Sequence, residues 1–186
     1  LVVDEKVTDI QIVDSESLPT VDEIIATLSN GSSMLKPDQV DKQSIKKTAV
    51  HEIGHAFVGY YLNKDTDIIR ITVNAEGSGT LGYVLHKADN SATHKKTELR
   101  NKIKRLLAGM CCEEVFNGEF ETGNYSDLEK ATQIAKNMVT KHGMSNLGYA
   151  QIAHPDDMAE LVHKEINVIL NECYLETKKI ITDNQK

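Results

Sequence analysis

Ala49-Val50-His51-Glu52-Ile53-Gly54-His55-Ala56-Phe57-Val58 decides how the rest of this 186-residue chain is read. Its apolar residues, continued by Tyr60, Tyr61 and Leu62, fall on nearly every side of a helix, so the segment reads as one buried at the centre of a domain. Residues four apart on a helix stand one turn above each other on one face. His51 and His55 therefore aim two imidazoles at one point. Glu52 projects roughly 100° further round, out of place as a third ligand but able to reach a metal-bound water as a general base. A plain helix whose histidines satisfy core hydrogen bonds is the alternative. Two His and a Glu in so apolar a helix need partners, however, because unpaired polar groups are costly in a core. Gly54 and Gly59 each give up ~1 kcal/mol of helix propensity against Ala, which predicts something packed close to the backbone.

A catalytic zinc takes three protein ligands and keeps one position for water. The candidate third ligand lies in Glu121-Thr122-Gly123-Asn124-Tyr125-Ser126-Asp127-Leu128-Glu129. Ser126 and Glu129 have capping-box spacing, which predicts a helix from Ser126 to His142, stopped by Gly143. Leu128, Ala131, Ile134, Ala135, Met138 and Val139 form its apolar stripe, and Asp127 falls within that stripe, in the first turn, where the helix dipole favours its ionised form. A buried, ionised carboxylate calls for a cation; an exposed Asp that merely caps the helix is the bland reading. A rival source is Ala108-Gly109-Met110-Cys111-Cys112-Glu113-Glu114-Val115-Phe116, on a helix whose face is set by Leu99, Ile103, Leu106, Leu107 and Met110. One of Glu113 and Glu114 is expected to be buried. It would orient a ligating His from behind, form a salt bridge, or act as a ligand itself, the first being favoured.

In order along the chain, HEIGHA, AGMCCEEVFNG, TGNYSDLEKATQIAKNMVTKHGMSNLG and ILNECY resemble the peptidase domain of FtsH-type ATP-dependent zinc metalloproteases. The resemblance covers roughly residues 45 to 180. It implies zinc bound by His51, His55 and Asp127, with Glu52 catalytic. The chain departs from the family at Met110, where the family typically has Arg. It contains no G-x-x-x-x-G-K-[ST] phosphate loop, and no apolar run approaches the ~20 residues needed to span a bilayer. The last helical stretch that the family usually carries is also expected to be missing.

The net charge of −7 argues against nucleic acid or an anionic membrane as the main partner. Lys95-Lys96 and Lys102-Lys104-Arg105 read as a solvated helix face. Three Cys, two of them adjacent, make no disulfide framework and suit a reducing compartment. Residues 1–40 form an N-terminal appendage with no assigned role, in which Val3, Val7, Ile10 and Ile12 alternate and Val21 to Leu28 has helical character. Residues 41–186 form the peptidase domain. Ile68–Val73 and Thr80–Leu85 are β-rich, with a Gly- and Ser-containing turn between them. An edge of this hairpin is a candidate rail for an extended peptide, and a plain cover over the helices is the alternative. Helices are predicted over roughly 93–117, 126–142 and 156–182. The last has a stripe of Met158, Leu161, Val162, Ile166, Ile169 and Cys173; the remaining His are read as surface or cap residues.

The fold expected is therefore mainly α (α+β), a helical zinc-peptidase domain with a small β-hairpin or sheet beside the metal helix. The expected function is zinc-dependent endopeptidase action on unfolded or flexible polypeptides, with a metal-bound water activated by Glu52. The alternative is a non-catalytic zinc-binding assembly or regulatory module that kept the fold. The partners are a polypeptide substrate, a separate ATPase or unfoldase, and other copies of the chain in a homo-oligomer. The expected location is cytoplasmic, or cytosol-facing if the chain, which starts at Leu1, is a fragment of a membrane-anchored protease.

Overall fold

The computed structural model describes residues 9–10, 42–63, 68–72, 83–86, 92–152 and 154–185. Four helices carry the fold: α1 (Lys42–Leu62), α2 (Lys96–Asn117), α3 (Tyr125–Thr140) and α4 (Ala159–Asp183). Short 3-10 turns, Thr122–Asn124 and Pro155–Met158, lead into α3 and α4. The architecture is mainly helical, as expected. A small antiparallel sheet accompanies it, in the order β1 (Asp9–Ile10), β2 (Ile68–Thr72), β3 (Tyr83–His86). Ile71 pairs with Val84 on one side and Ile10 on the other. The appendage thus contributes one short strand to the sheet, a pairing its alternating apolar residues did not disclose. The predicted turn between the hairpin strands and the helical stretch from Val21 to Leu28 lie outside the described residues.

α1 sits at the centre. Ala49, Val50, Ile53, Ala56 and Val58 are buried, and α2, α4, β2 and β3 all pack against the helix. Full burial of a side chain such as Ile53 or Ile103 contributes about 1.5–3 kcal/mol. The α1–α2 contact is unusually close. A Cβ on Gly54 would stand 2.4 Å from the Ala108 carbonyl oxygen and 2.9 Å from Cys112 Cβ. Gly54 thus lets two helix backbones meet, the close neighbour its presence in the sequence predicts. α2 begins where the Glu98 carboxylate accepts the Lys95 N–H (2.9 Å) and ends at Gly118, whose φ of 85° suits glycine.

α3 starts one residue earlier than the capping-box spacing predicts, at Tyr125, and continues directly from the 3-10 turn. It stops at Thr140, with His142 just beyond it and Gly143 at φ 58° turning the chain. Ala131, Ala135, Met138 and Val139 of its predicted stripe are buried, but Leu128 is exposed. On α4, Val162, Ile166, Ile169 and Cys173 are buried while Met158, which precedes the helix proper, and Leu161, in its first turn, are exposed. Cys111, Cys112 and Cys173 are buried free thiols, and burial pushes the first two up to about 12.

The basic run on α2 is not a solvated face. Lys102, Lys104 and Arg105 are half-buried. Lys104 reaches Glu176 (2.6 Å), and Arg100 reaches Glu172 (2.8 Å) and Glu176 (2.9 Å), so the run ties α2 to α4. Among the described residues, no helix is long and apolar enough to cross a membrane.

Candidate metal centre

α1 carries His51 and His55 on one face, and their rings stack edge to face with centroids 4.6 Å apart. Each ring is held from behind by α2. His55 Nδ1 lies 2.7 Å from the Arg105 carbonyl oxygen, and His51 Nδ1 lies 2.8 Å from Glu113 Oε1. A carbonyl oxygen only accepts, so His55 Nδ1 must donate. Glu113 is buried and its pKa is nevertheless lowered: burial raises it, but hydrogen bonds from His51, the Glu121 N–H and Asn124 outweigh that. An ionised Glu113 makes His51 Nδ1 a donor too. Both rings therefore turn their Nε2 atoms outward, to the same side, where each can carry a proton or, without it, offer a lone pair to a metal.

Asp127 meets them there. It stands in the first turn of α3, and its Oδ2 is 3.1 Å from His55 Nε2 and 3.4 Å from His51 Nε2; the two Nε2 atoms are 2.9 Å apart. Burial would raise the Asp127 carboxyl, but hydrogen bonds to His51 and His55 hold it well below the usual carboxylate range. Around His51 the effects combine differently. Burial alone would lower its pKa, yet Asp127, Glu113 and Glu52 together raise it to about 9. The site favours positive charge, which either a proton or a metal ion can supply.

The geometry suits a metal. Three ligating atoms about 2.1 Å from one tetrahedral ion stand about 3.4 Å from each other, close to the 2.9, 3.1 and 3.4 Å found here. His51, His55 and Asp127 are also the one group of metal-ligating side chains that converges among the described residues. Two imidazoles and a carboxylate are ligand types of catalytic zinc, with a fourth position left for water. Glu52 is on α1, 8% exposed, and electrostatically coupled to His55, His51 and Asp127. Burial raises its carboxyl, and the two His draw it back.

Glu113 therefore lies behind His51 rather than among the three converging side chains. Glu114 turns away, accepting a hydrogen bond from Tyr174 Oη and pairing with Lys178 (3.0 Å) on α4. Three contributors escaped sequence reasoning. Arg105 acts through its carbonyl, which no side-chain pattern reveals. Gly109 leaves room for His51: a Cβ there would come within 2.5–2.8 Å of the imidazole. Asn124, 2% exposed, reaches Glu113; the capping-box spacing directs attention to Ser126 instead and gives Asn124 no role.

The sequence model of peptidase family M41 matches residues 38–186, most of the chain and all of the residues around the site. The chain belongs to peptidase family M41. This M41 chain is 39% identical over 166 residues to the ATP-dependent zinc metalloprotease FtsH 2 of Thermoanaerobacter sp. (strain X514), covering 88% of this chain and 32% of that protein. It is 34% identical over 173 residues to the FtsH 2 of Phytoplasma mali (strain AT), covering 89% of this chain and 25% of that protein. Over 165 residues it is 31% identical to the ATP-dependent zinc metalloprotease FtsH of Bacillus subtilis (strain 168), covering 78% of this chain and 26% of that protein. The chain thus spans about a quarter to a third of the length of these relatives.

Proposed function

We propose that this M41 domain is a zinc-dependent endopeptidase, with His51, His55 and Asp127 as the metal ligands and Glu52 as the general base. The observation that carries the reading is the convergence of two Nε2 atoms and one carboxylate oxygen, each imidazole fixed by an acceptor on α2. Zinc, when bound, supplies a Lewis acid that polarises a peptide carbonyl and acidifies water. Glu52 takes the proton of the attacking water and delivers it to the leaving amine nitrogen. Its burial beside the histidines supports this role, since a proton shuttle works best with a pKa above that of an ordinary carboxylate. A module that only held zinc would gain nothing from burying a fourth ionisable group there.

The sheet supports the substrate class. β3 pairs with β2 along one edge, and among the described residues no strand covers its other edge. Both strands pack on α1, the helix that carries the histidines. An extended peptide adding to β3 would gain main-chain hydrogen bonds on a strand packed against the helix that carries the histidines. Only unfolded or flexible polypeptides can adopt that conformation, so folded substrates need an unfoldase. The relatives are named ATP-dependent, and an ATP-driven unfoldase, attached or separate and cytosol-facing, is the partner we assign, with a homo-oligomer as the assembly.

Casein hydrolysis by the zinc-loaded protein and by its Glu52→Gln variant, with bound zinc quantified in both, tests the reading. The variant is expected to keep its zinc and to lose about 10²–10⁴-fold in rate. Equal rates would remove Glu52 as the base. Zinc-loaded wild type that cleaves neither casein nor short flexible peptides would instead support a zinc-binding assembly module.

A further inference from the structure

Asn124 is 2% exposed and occupies the residue just before α3. An Asn there ordinarily caps the helix with its side chain. Here it makes no such cap hydrogen bond. Its amide nitrogen donates instead to Glu113 Oε2 (2.8 Å) and to the Glu121 carbonyl oxygen (2.8 Å). The opposite amide orientation would set Oδ1 against two acceptors, so the chemistry permits only this one. In this orientation Oδ1 is buried with no hydrogen-bond partner among the described residues. Leaving a buried acceptor unpaired costs about 1–3 kcal/mol. An apolar residue of the same size would avoid that cost but would give up both donated hydrogen bonds, so what the amide contributes lies in the groups it holds, Glu113 and the Glu121 carbonyl.

What the amide does is complete the grip on Glu113. Oε1 of that carboxylate faces His51 Nδ1, while Oε2 accepts from the Glu121 N–H (2.8 Å) and from Asn124. With two donors on Oε2, the carboxylate cannot rotate without breaking both bonds. Its plane is then fixed, and with it the direction in which His51 presents Nε2. Three residues further on, the same segment supplies Asp127. One turn of chain thus delivers a ligand directly and braces another ligand from behind.

We propose that Asn124 is a positioning residue of the metal centre, acting through Glu113 on His51. This rests on the reading that His51, His55 and Asp127 hold zinc. Outer partners of metal ligands typically govern 10- to 100-fold in metal affinity; Asn124, one step further out, belongs at the lower end.

The test is the zinc dissociation constant, measured by competition with a chromophoric chelator, with urea unfolding of each protein alongside. The proteins are wild type, Asn124→Ala, Asn124→Leu, Glu113→Gln and the Asn124→Leu/Glu113→Gln double variant. The Leu variant should fold, because Glu113 Oε2 keeps the Glu121 N–H and the unpaired Oδ1 disappears. Both Asn124 variants are expected to bind zinc about tenfold more weakly, and the double variant no more weakly than Glu113→Gln alone. A role in packing predicts another order: Leu, which fills the space, would bind like wild type and only Ala would suffer. That order would overturn the proposal, as would a double variant whose losses simply add. Wild type that binds no zinc would overturn the metal centre itself, and the two failures are therefore distinguishable.

Discussion

Replacing Gly109 by Ala perturbs the proposed metal centre at a position outside its proposed ligand set. The added methyl would stand 2.5 Å from His51 Cε1, 2.6 Å from Nδ1 and 2.8 Å from Nε2. Non-bonded heavy atoms settle at about 3.5 Å or more, so the ring must yield by about 1 Å. It has little freedom to do so, because Glu113 holds Nδ1 at 2.8 Å. Moving the ring stretches that bond and turns Nε2 away from Asp127. Overpacking of this kind costs about 1–3 kcal/mol, while Ala in place of Gly returns about 1 kcal/mol of helix propensity. The net loss of stability is therefore at most about 2 kcal/mol, and the variant should fold. Function should fall further than stability. A misplacement of about 1 Å at a catalytic group costs about 100-fold in rate, and zinc affinity should drop with it. Urea unfolding, chelator competition and initial rates on a flexible peptide measure the three effects separately. A variant with wild-type zinc affinity and wild-type rate would refute the claim that Gly109 makes room for His51.

Gly54→Ala acts on the same helix contact with the opposite balance. Its methyl would meet the Ala108 carbonyl oxygen at 2.4 Å, and a backbone atom cannot rotate away. The overpacking cost belongs at the upper end, about 3 kcal/mol, less the same ~1 kcal/mol of helix propensity. So about 2 kcal/mol of stability should be lost, and an unchanged urea midpoint would count against the close α1–α2 approach. Glu114→Gln separates the two adjacent glutamates. It weakens the half-exposed pair with Lys178, within about 1 kcal/mol, and should leave zinc affinity and rate as in wild type. A tenfold loss of zinc affinity would mean that the roles of Glu113 and Glu114 have been assigned the wrong way round.

Much of the site is legible in the sequence because it rides on helix periodicity. His51 and His55 need only a four-residue spacing to share a face, and Asp127 needs only a helix that starts just before it. Where the reading slips, a contact distant in sequence has intervened. Ser126 and Glu129 look like the cap of α3, but Asn124 is drawn to Glu113, eleven residues away, and the helix runs on from the preceding turn. Lys104 looks solvated until Glu176 of α4 lies against it. Leu128 keeps the apolar spacing of α3 yet is exposed, because the stripe is wider than the surface that covers it. Periodicity tells which faces are apolar, not how far a neighbouring helix extends.

The contribution of α2 shows what a side-chain pattern alone conceals. Arg105, Gly109 and Glu113 follow one another at four-residue intervals and so line one face of that helix. Arg105 offers its carbonyl to His55, Gly109 clears space for His51, and Glu113 accepts from His51. His55 thus meets the earlier part of α2 and His51 the later part, which requires the two helices to run antiparallel at close range. Gly54 permits that range. The glycine contact is therefore a condition of the chemistry as well as of the packing. With α1 further from α2, the imidazoles would lose their acceptors, their tautomers would no longer be fixed, and the two Nε2 atoms would not be held toward Asp127. The apolar core of α1 and α2 and the polarity of the site are set by one helix contact, seen from its two sides.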